Sequence, residues 1–182
     1  MINAEYQIPK KQQGLIEKDD VVAIVDIGAT QFTFLVLSNQ AIIYSVEQPF
    51  GGRQLTEDIQ RHYNLTWAEA GRAKRKGGLD DDYDESMLRP FKKLLVEHLS
   101  RCIQVFYSST ETNKIDKLVL SGGVSKTEGL RDQIADSVGI PTNIIDLSEK
   151  VSISIPSDQS RLNADIPSMM LAFGLALAKE SR

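Results

Sequence analysis

Three strand-like runs stand close together near the start of the chain, and they constrain its fold more than any other feature. The runs are VVAIV (21–25), FTFLVL (32–37) and AIIYSV (41–46), with the turn SNQ between the last two. Short runs rich in β-branched residues and bounded by turn residues are typical of strands, and their spacing favours an antiparallel meander over helices. The chain is therefore expected to fold around a sheet.

Helical patterns dominate the middle of the chain. Polar helices are predicted over 55–63 and 66–75, and the second should end near Gly77. The acidic run LDDDYDE (79–85) suits the start of a further helix, because carboxylates there face its positive end. Pro90 marks an early position of that helix. An apolar stripe at helical spacing follows, formed by Phe91, Leu94, Leu95, His98, Leu99, Cys102, Ile103 and Phe106.

The last third of the chain alternates strands and helices. Ser125 and Glu128 have the spacing of a capping box, which predicts a helix that ends before Gly139. A final helix is expected after Pro167. The further predicted strands are KLVL (117–120), TNIID (142–146) and VSISI (151–155). Three strands, several helices and then alternating elements indicate an α/β fold with a mixed sheet.

Composition excludes several classes of protein. With 182 residues, 41% hydrophobic and 25% charged, the chain is globular rather than disordered. Its net charge of −4, with both signs interspersed, does not suit a nucleic-acid binder. Cys102 is the single cysteine, so neither an intramolecular disulfide nor a cysteine metal cluster can form. The N-terminus lacks the apolar core of a secretory signal, and we expect a protein that is soluble or peripheral through partners.

Asp26 ends the first strand-like run and begins the order Asp-x-Gly-x-Thr. Gly28 lets the backbone approach a ligand closely, and the amides of such a turn, with the Thr30 hydroxyl, suit phosphate oxygens. The Asp26 carboxylate suits a metal-bound water. The alternative is an aspartate that only caps a β-turn with its side chain. The sequence DIGAT alone leaves both interpretations open.

Two other short motifs suit a nucleotide. Gly122 and Gly123 follow a predicted strand and precede a predicted helix. Their bare backbone leaves room for a flat ring, and the helix N-terminus favours an anion. Glu69 and Arg72 share one helix face, where a carboxylate suits ribose hydroxyls and the arginine stem can cover an adenine. The alternatives are a tight strand-to-helix turn and a solvent-facing ion pair.

The order of these motifs resembles the second nucleotide-binding lobe of the actin-like ATPases, which include actin, the heat-shock chaperone ATPase domain, sugar kinases and FtsA. The shared order is strand-DxGxT-hairpin, a helix led by two glycines, ExxR before a glycine, and strand-GG-helix. The resemblance implies an actin-like, ribonuclease H-like α/β lobe that binds ATP with Mg²⁺. The implied contacts are Asp26, Gly28, Ala29 and Thr30 at the phosphates, with Asp26 holding Mg²⁺ through water, Glu69 and Arg72 at the nucleoside, and Gly122, Gly123 and Val124 beside the adenine.

Within this superfamily the chain is similar to the C-terminal half of the PilM family of type IV pilus assembly proteins. The segments that carry the likeness are VAIVDIGATQFTFLVL, IIYSVEQPFGG, LTEDIQRHYNLTWAEAGRAK and ADIPSMMLAFGLALA, and the likeness covers residues 21–180. It implies a cytoplasmic scaffold at the inner face of the inner membrane that serves pilus biogenesis and twitching motility. It also implies that the protein binds ATP, the cytoplasmic tail of the membrane protein PilN and other pilus assembly proteins.

The same resemblance divides the chain into parts. Residues 1–20 are expected to form a polar tail or linker remnant. Residues 21–63 and 115–166 would form the nucleotide-binding lobe, and 64–114 a small, mostly helical insertion. Residues 167–182 would form a closing helix that packs on the first lobe of the family fold. Because that lobe is not visible in this sequence, we expect self-association through 168–179 or folding of this helix back over the cleft.

Two departures from the superfamily pattern bear on hydrolysis. The chain has one DxG motif, whereas the family has a second in its first lobe, and Gln31 stands where an acidic residue is frequent. Phosphoryl transfer needs charge stabilisation from both sides of the cleft, so no catalytic residue is assigned and ATP binding by this chain alone should be weak. The alternatives are an ATPase or kinase fragment of the superfamily, and an interaction module that has lost nucleotide binding.

Overall fold

The structure is a computed structural model that describes residues 20–39 and 41–145. In this part of the chain, the fold is built on five strands and four α-helices. The strands are β1 (Val21–Ile27), β2 (Phe32–Ser38), β3 (Ala41–Gln48), β4 (Lys117–Ser121) and β5 (Thr142–Ile144). The helices are α1 (Gly52–His62), α2 (Trp67–Lys76), α3 (Arg89–Ser109) and α4 (Leu130–Val138), and a five-residue π-helical turn (Asp84–Leu88) precedes α3.

The strands form one mixed sheet in the order β3-β2-β1-β4-β5. β2 pairs antiparallel with both β1 and β3, whereas β4 pairs parallel with both β1 and β5. The predicted meander and the predicted entry of 117–121 into the same sheet are therefore confirmed. Because β1 and β4 are parallel neighbours, their carboxyl ends meet at one edge of the sheet, where Asp26 pairs with Ser121.

Helix α3 lies on the sheet and supplies much of the core. The Phe106 ring is 6.4 Å from that of Phe34 on β2 and 5.5 Å from that of Tyr44 on β3. Near the other end of the helix, Phe91 stacks on Phe50 with 5.3 Å between ring centroids. Burying each such side chain stabilises the fold by roughly 1.5–3 kcal/mol. The helix that the sequence predicts within 64–114 therefore shares one core with the sheet, and the division of the chain into lobe and insertion stays a prediction.

The predicted stripe along α3 is confirmed except at Leu94, which is 48% exposed. With about 100° of rotation per residue, Leu94 lies about 120° around the helix from the centre of the buried face. Val96 is buried instead. Cys102 is a small buried hydrophobic residue, as its place on the stripe suggests. His98 is half-buried, and its ring packs 4.9 Å from that of Phe50.

The starts of two helices differ from the predictions for reasons that their contacts show. Helix α1 begins three residues earlier than predicted, at Gly52, because the first turn is anchored by backbone contacts that the sequence pattern does not show. The predicted capping box at Ser125 and Glu128 is wrong. Consecutive turns occupy 122–129, α4 begins only at Leu130, and the Ser125 hydroxyl donates to the Gly122 carbonyl at 2.8 Å.

Several predicted features lie outside the described residues. They are most of the polar tail (1–20), the last residue of TNIID (142–146), the strand over 151–155, and the final helix with its proposed self-association segment (168–179). Within residues 20–39 and 41–145, no helix is long and apolar enough to cross a membrane.

Candidate functional site

Asp26 lies at the carboxyl end of β1, beside the end of β4. The Ser121 hydroxyl donates a hydrogen bond of 2.8 Å to Asp26 Oδ1. Burial raises the pKa of the Asp26 carboxyl above its ordinary value, and the hydrogen bond from Ser121 acts in the opposite direction. In open α/β sheets, ligands bind beyond the carboxyl ends of the strands. The structure therefore brings the DIGAT and SGG motifs together at such an edge.

The residues after Asp26 form a tight turn on which helix α1 begins. The Gly28 amide donates to the Gln31 carbonyl at 3.0 Å, and Ala29 and Thr30 are exposed at the tip. The first amides of α1 bind the carbonyls of this turn: Gly52 donates to Gly28 at 3.0 Å, and Arg53 donates to Ala29 at 2.7 Å. These bonds satisfy donors that a helix start leaves unpaired, and they fix α1 to the candidate phosphate turn.

Glycines line the contact between the turn and the start of α1. A Cβ atom on Gly51 would lie 2.6 Å from the Ala29 carbonyl oxygen, so only glycine fits there. A Cβ on Gly52 would lie 2.8 Å from Val124 Cγ2, which belongs to the loop after β4. The two glycines of the PFGG sequence are thus required because the start of α1 lies so close to the turn after β1 and to the loop after β4.

The loop after β4 lies directly against the end of β1. Gly122 has a φ of +84°, and a Cβ there would lie 2.3 Å from the Ile27 carbonyl oxygen. The Val124 amide donates to the same oxygen at 3.3 Å. Gly123 is exposed, and the Val124 side chain is half-buried. The three residues predicted beside the adenine therefore adjoin the strand that carries Asp26.

Lys74 is a candidate site residue that the sequence analysis missed. Its ammonium donates to the Gly52 carbonyl at 2.7 Å and to the Thr56 hydroxyl at 2.6 Å, at the first turn of α1. Burial lowers the pKa of this lysine from its ordinary value. Lys74 lies four residues after the buried Ala70, so both face α1. That spacing is the sequence signal that identifies it as the inward-facing cation of the RAKRK run.

Glu69 and Arg72 have no contact with the Asp26–Ser121 pair in the described part of the chain. Glu69 Oε2 instead accepts from the Thr66 amide at 2.8 Å and from the Thr66 hydroxyl at 2.6 Å, which together cap α2. Bonds from the Thr66 hydroxyl and then from its amide lower the pKa of Glu69. Thr66-x-x-Glu69 is the spacing of a capping box, a signal that the sequence analysis did not use. The Arg72 side chain is exposed.

A concavity with a volume of about 730 Å³ lies at the end of α1 and has no residue in common with these motifs. The Tyr63 hydroxyl donates to Asp82 Oδ1 at 2.8 Å, and His62 Nε2 lies 3.2 Å from Asp82 Oδ2. The pKa of Tyr63 is raised to about 12, mainly by partial burial and secondly by the hydrogen bond to Asp82. These bonds fix the end of α1 to the acidic segment before α3, which is a structural role.

The residues around Asp26 fit a nucleotide with Mg²⁺. Bare backbone at Gly28, Gly122 and Gly123 leaves room for phosphate or an aromatic ring, and Lys74 supplies a nearby positive charge. No group of three or more His, Cys, Asp or Glu within 20–39 and 41–145 could hold a metal ion. Since Mg²⁺ usually keeps several waters and binds through one or two carboxylates and substrate phosphates, the single Asp26 carboxylate is compatible with it.

Comparison with known proteins identifies relatives of the chain. Residues 4–180 match the sequence profile of a family described as type IV pilus assembly protein PilM. A solved PilM–PilN type IV pilus biogenesis complex superposes with a TM-score of 0.76 at 27% identity, over 89% of this chain and 46% of that chain. This chain therefore spans about half the length of that protein.

Two further structures are similar in fold alone. An archaeal actin homolog has a TM-score of 0.64 at 15% identity, over 94% of this chain and 51% of that one. MreB 5 of Spiroplasma citri bound to AMPPNP has a TM-score of 0.56 at 14% identity, over 89% of this chain and 53% of that one. The predicted actin-like fold is confirmed.

Proposed function

Because the chain belongs to the PilM family of type IV pilus assembly proteins, we propose that it is part of an actin-like scaffold that binds ATP with Mg²⁺ at the Asp26 cleft. The observation that carries this proposal is the convergence of two separate motifs, with Ser121 bonded to Asp26 and Gly122 against Ile27. Asp26 would hold a Mg²⁺-bound water, and the Gly28–Thr30 turn would face the phosphates. Lys74 would supply positive charge beside them.

We expect ATP binding by this chain alone to be weak. The chain spans about half the length of the structures it resembles, and we propose that the remainder of the family fold supplies the other phosphate turn. Each charge-assisted hydrogen bond that cannot form withholds about 1.5–3 kcal/mol, and several of them amount to several decades of affinity. Submicromolar binding, or appreciable turnover, by this chain would contradict this expectation.

Titration of the chain with ATP, followed by amide NMR shifts, tests the proposed site. Binding should shift the amides of Gly28–Thr30 and Gly122–Val124, and Asp26→Ala should abolish the effect of Mg²⁺ on affinity. Asp81→Ala is the matched control, because this aspartate lines the concavity at the end of α1, away from the proposed site. Shifts confined to other residues, or equal loss in both variants, would refute the assignment.

The partner of this scaffold is proposed to be a PilN-like membrane protein. A solved structure of the related PilM, at 27% identity, is described as a complex with PilN. We propose a cytoplasmic location at the inner face of the inner membrane, with the PilN tail docking on a part of the family fold that this chain does not cover. A tail peptide should then bind a full-length family member and not the 182-residue chain, as measured by fluorescence anisotropy.

One observation favours a second candidate function, an interaction module that has lost nucleotide binding. Glu69, which the family resemblance places at the nucleoside, uses its carboxylate oxygen Oε2 to cap α2. Absence of any ATP-dependent NMR shift at millimolar nucleotide, together with retained binding to pilus assembly partners, would support this function. Phosphate release from ATP would instead support an ATPase or kinase fragment.

A further inference from the structure

The hydroxyl of Ser121 is placed to act on the candidate Mg²⁺ site through another residue. Ser121 is 1% exposed, is the register partner of Asp26 on the neighbouring strand, and donates to Asp26 Oδ1 at 2.8 Å. In the described part of the chain, this is the one hydrogen bond made to the Asp26 side chain. A buried donor of this kind holds its acceptor in one orientation, because leaving either group unpaired is costly.

We infer that Ser121 is a positioning residue that fixes the Asp26 carboxylate so that Oδ2 faces the Mg²⁺-bound water of a nucleotide. This inference rests on the proposed function of the cleft. It adds that β4 orients the proposed metal-site residue Asp26 and also leads into the turn proposed to lie beside the adenine, since Ser121 directly precedes Gly122 and Gly123. The two ends of the bound nucleotide would thus be coupled through one hydroxyl.

Thr33 provides a matched comparison for Ser121. It is the register partner of Asp26 on the opposite side, in β2, and is 8% exposed. Both residues carry a buried hydroxyl beside Asp26, yet no hydrogen bond joins Thr33 to Asp26 in residues 20–39 and 41–145. Removal of the Thr33 hydroxyl therefore controls for the loss of a buried polar group at the same place in the sheet.

Equilibrium urea denaturation tests the pair without nucleotide. Ser121→Ala should lower the denaturation midpoint in the wild-type background and have little effect in an Asp26→Ala background, because the acceptor is then already absent. Ser121→Thr retains the hydroxyl and should stay close to the wild type. Equal effects of Ser121→Ala in both backgrounds would overturn the inference, since Ser121 would then not act through Asp26.

ATP titration in Mg²⁺ and in EDTA separates positioning from a merely structural role. Ser121→Ala should weaken binding of MgATP about tenfold, as expected if the misplaced Asp26 carboxylate loses its charge-assisted hydrogen bond to the Mg²⁺-bound water, and leave binding of metal-free ATP unchanged. Thr33→Val should change neither. An equal loss with and without Mg²⁺ would show a structural role and overturn the inference.

The remaining outcomes distinguish this inference from the proposed function. ATP binding by the wild type that does not respond to Ser121→Ala would overturn the role of Ser121 and leave the nucleotide site intact. Absence of ATP binding by the wild type would contradict the proposed function and this inference with it, even if the urea experiment showed coupling between Ser121 and Asp26.

Discussion

Asp26 is a half-buried carboxylate that the fold tolerates rather than needs. Its pKa is raised by burial, which means that the native state binds this proton more tightly than the unfolded chain does. The stability that this group contributes is present below its ordinary pKa of 3.8 and is lost as the pH rises through the raised pKa. At neutral pH the ionised side chain therefore lowers the free energy of unfolding, which is consistent with the role proposed for Asp26.

Asp26→Asn should therefore stabilise the chain at pH 7. Asparagine keeps an acceptor for the Ser121 hydroxyl and removes the charge that burial disfavours. The gain over wild type should shrink as the pH falls toward 3.8, because the wild-type carboxyl is then protonated. Urea denaturation of both proteins at several pH values measures the difference. A variant that is less stable than wild type at pH 7 would show that the carboxylate is stabilised by contacts other than Ser121.

Glu69 is predicted to act as a helix cap whatever its role toward a nucleotide. Glu69→Gln keeps an acceptor for Thr66 and loses only the charge that the lowered pKa shows to be favourable, so it should lower the denaturation midpoint less than Thr66→Ala does. Thr66→Ala removes the cap hydroxyl and should cost about 1 kcal/mol. ATP titration of the Gln variant then tests the nucleoside role alone, since the helix is intact. Unchanged affinity would remove Glu69 from the proposed site.

At the scale of elements, the site depends on how closely the loop after β4 approaches β1. Gly122→Ala should cost at least about 3 kcal/mol, because a strained φ of about 1 kcal/mol adds to a backbone clash of about 2 kcal/mol. Gly78→Ala is the control, since Gly78 has a similar φ of +92° with nothing within 4 Å of a Cβ. It should cost about 1 kcal/mol.

Urea denaturation of the two variants isolates the contact with Ile27 as the difference between their costs. Equal losses would show that the φ value alone requires glycine at both positions. The close packing of the SGG motif on β1 would then not be what restricts residue 122.

Sequence patterns predicted the elements better than the contacts between them. The hydrophobic runs located β1 to β4, because strands of this kind are set by local alternation and turn residues. The start of α1 was missed, since Gly52 and Arg53 are held by carbonyls of Gly28 and Ala29, a contact that only tertiary structure supplies. The predicted cap at Ser125 failed for a local reason, because its hydroxyl donates to the Gly122 carbonyl three residues earlier.

The residues of the candidate site likewise divide into those with a local sequence signal and those that only packing between elements reveals. Asp26, Gly28 and Gly122 could be proposed from sequence, because strand ends followed by glycines have a local signature. Lys74 was missed because its spacing from Ala70 separates it from the neighbouring cations only once the burial of Ala70 against α1 is known.

At the scale of the whole molecule, the two motifs of the candidate site come from distant parts of the chain. Ser121 and Asp26 are 95 residues apart, and closing a loop of that length costs about 4 kcal/mol of chain entropy. The turns within the meander close only a few residues. We therefore expect the meander to form before the rate-limiting step of folding and β4 to dock after it.

Stopped-flow folding kinetics of two matched variants measure this order. Leu35→Ala, in the meander, should slow folding, whereas Val119→Ala, in β4, should mainly speed unfolding. Both residues pair with Ile24 on opposite sides of β1. The reverse pattern would contradict the order. If it holds, a chain emerging from the ribosome acquires its meander first and its proposed nucleotide site last, so a translation pause before β4 would leave a structured protein without that site.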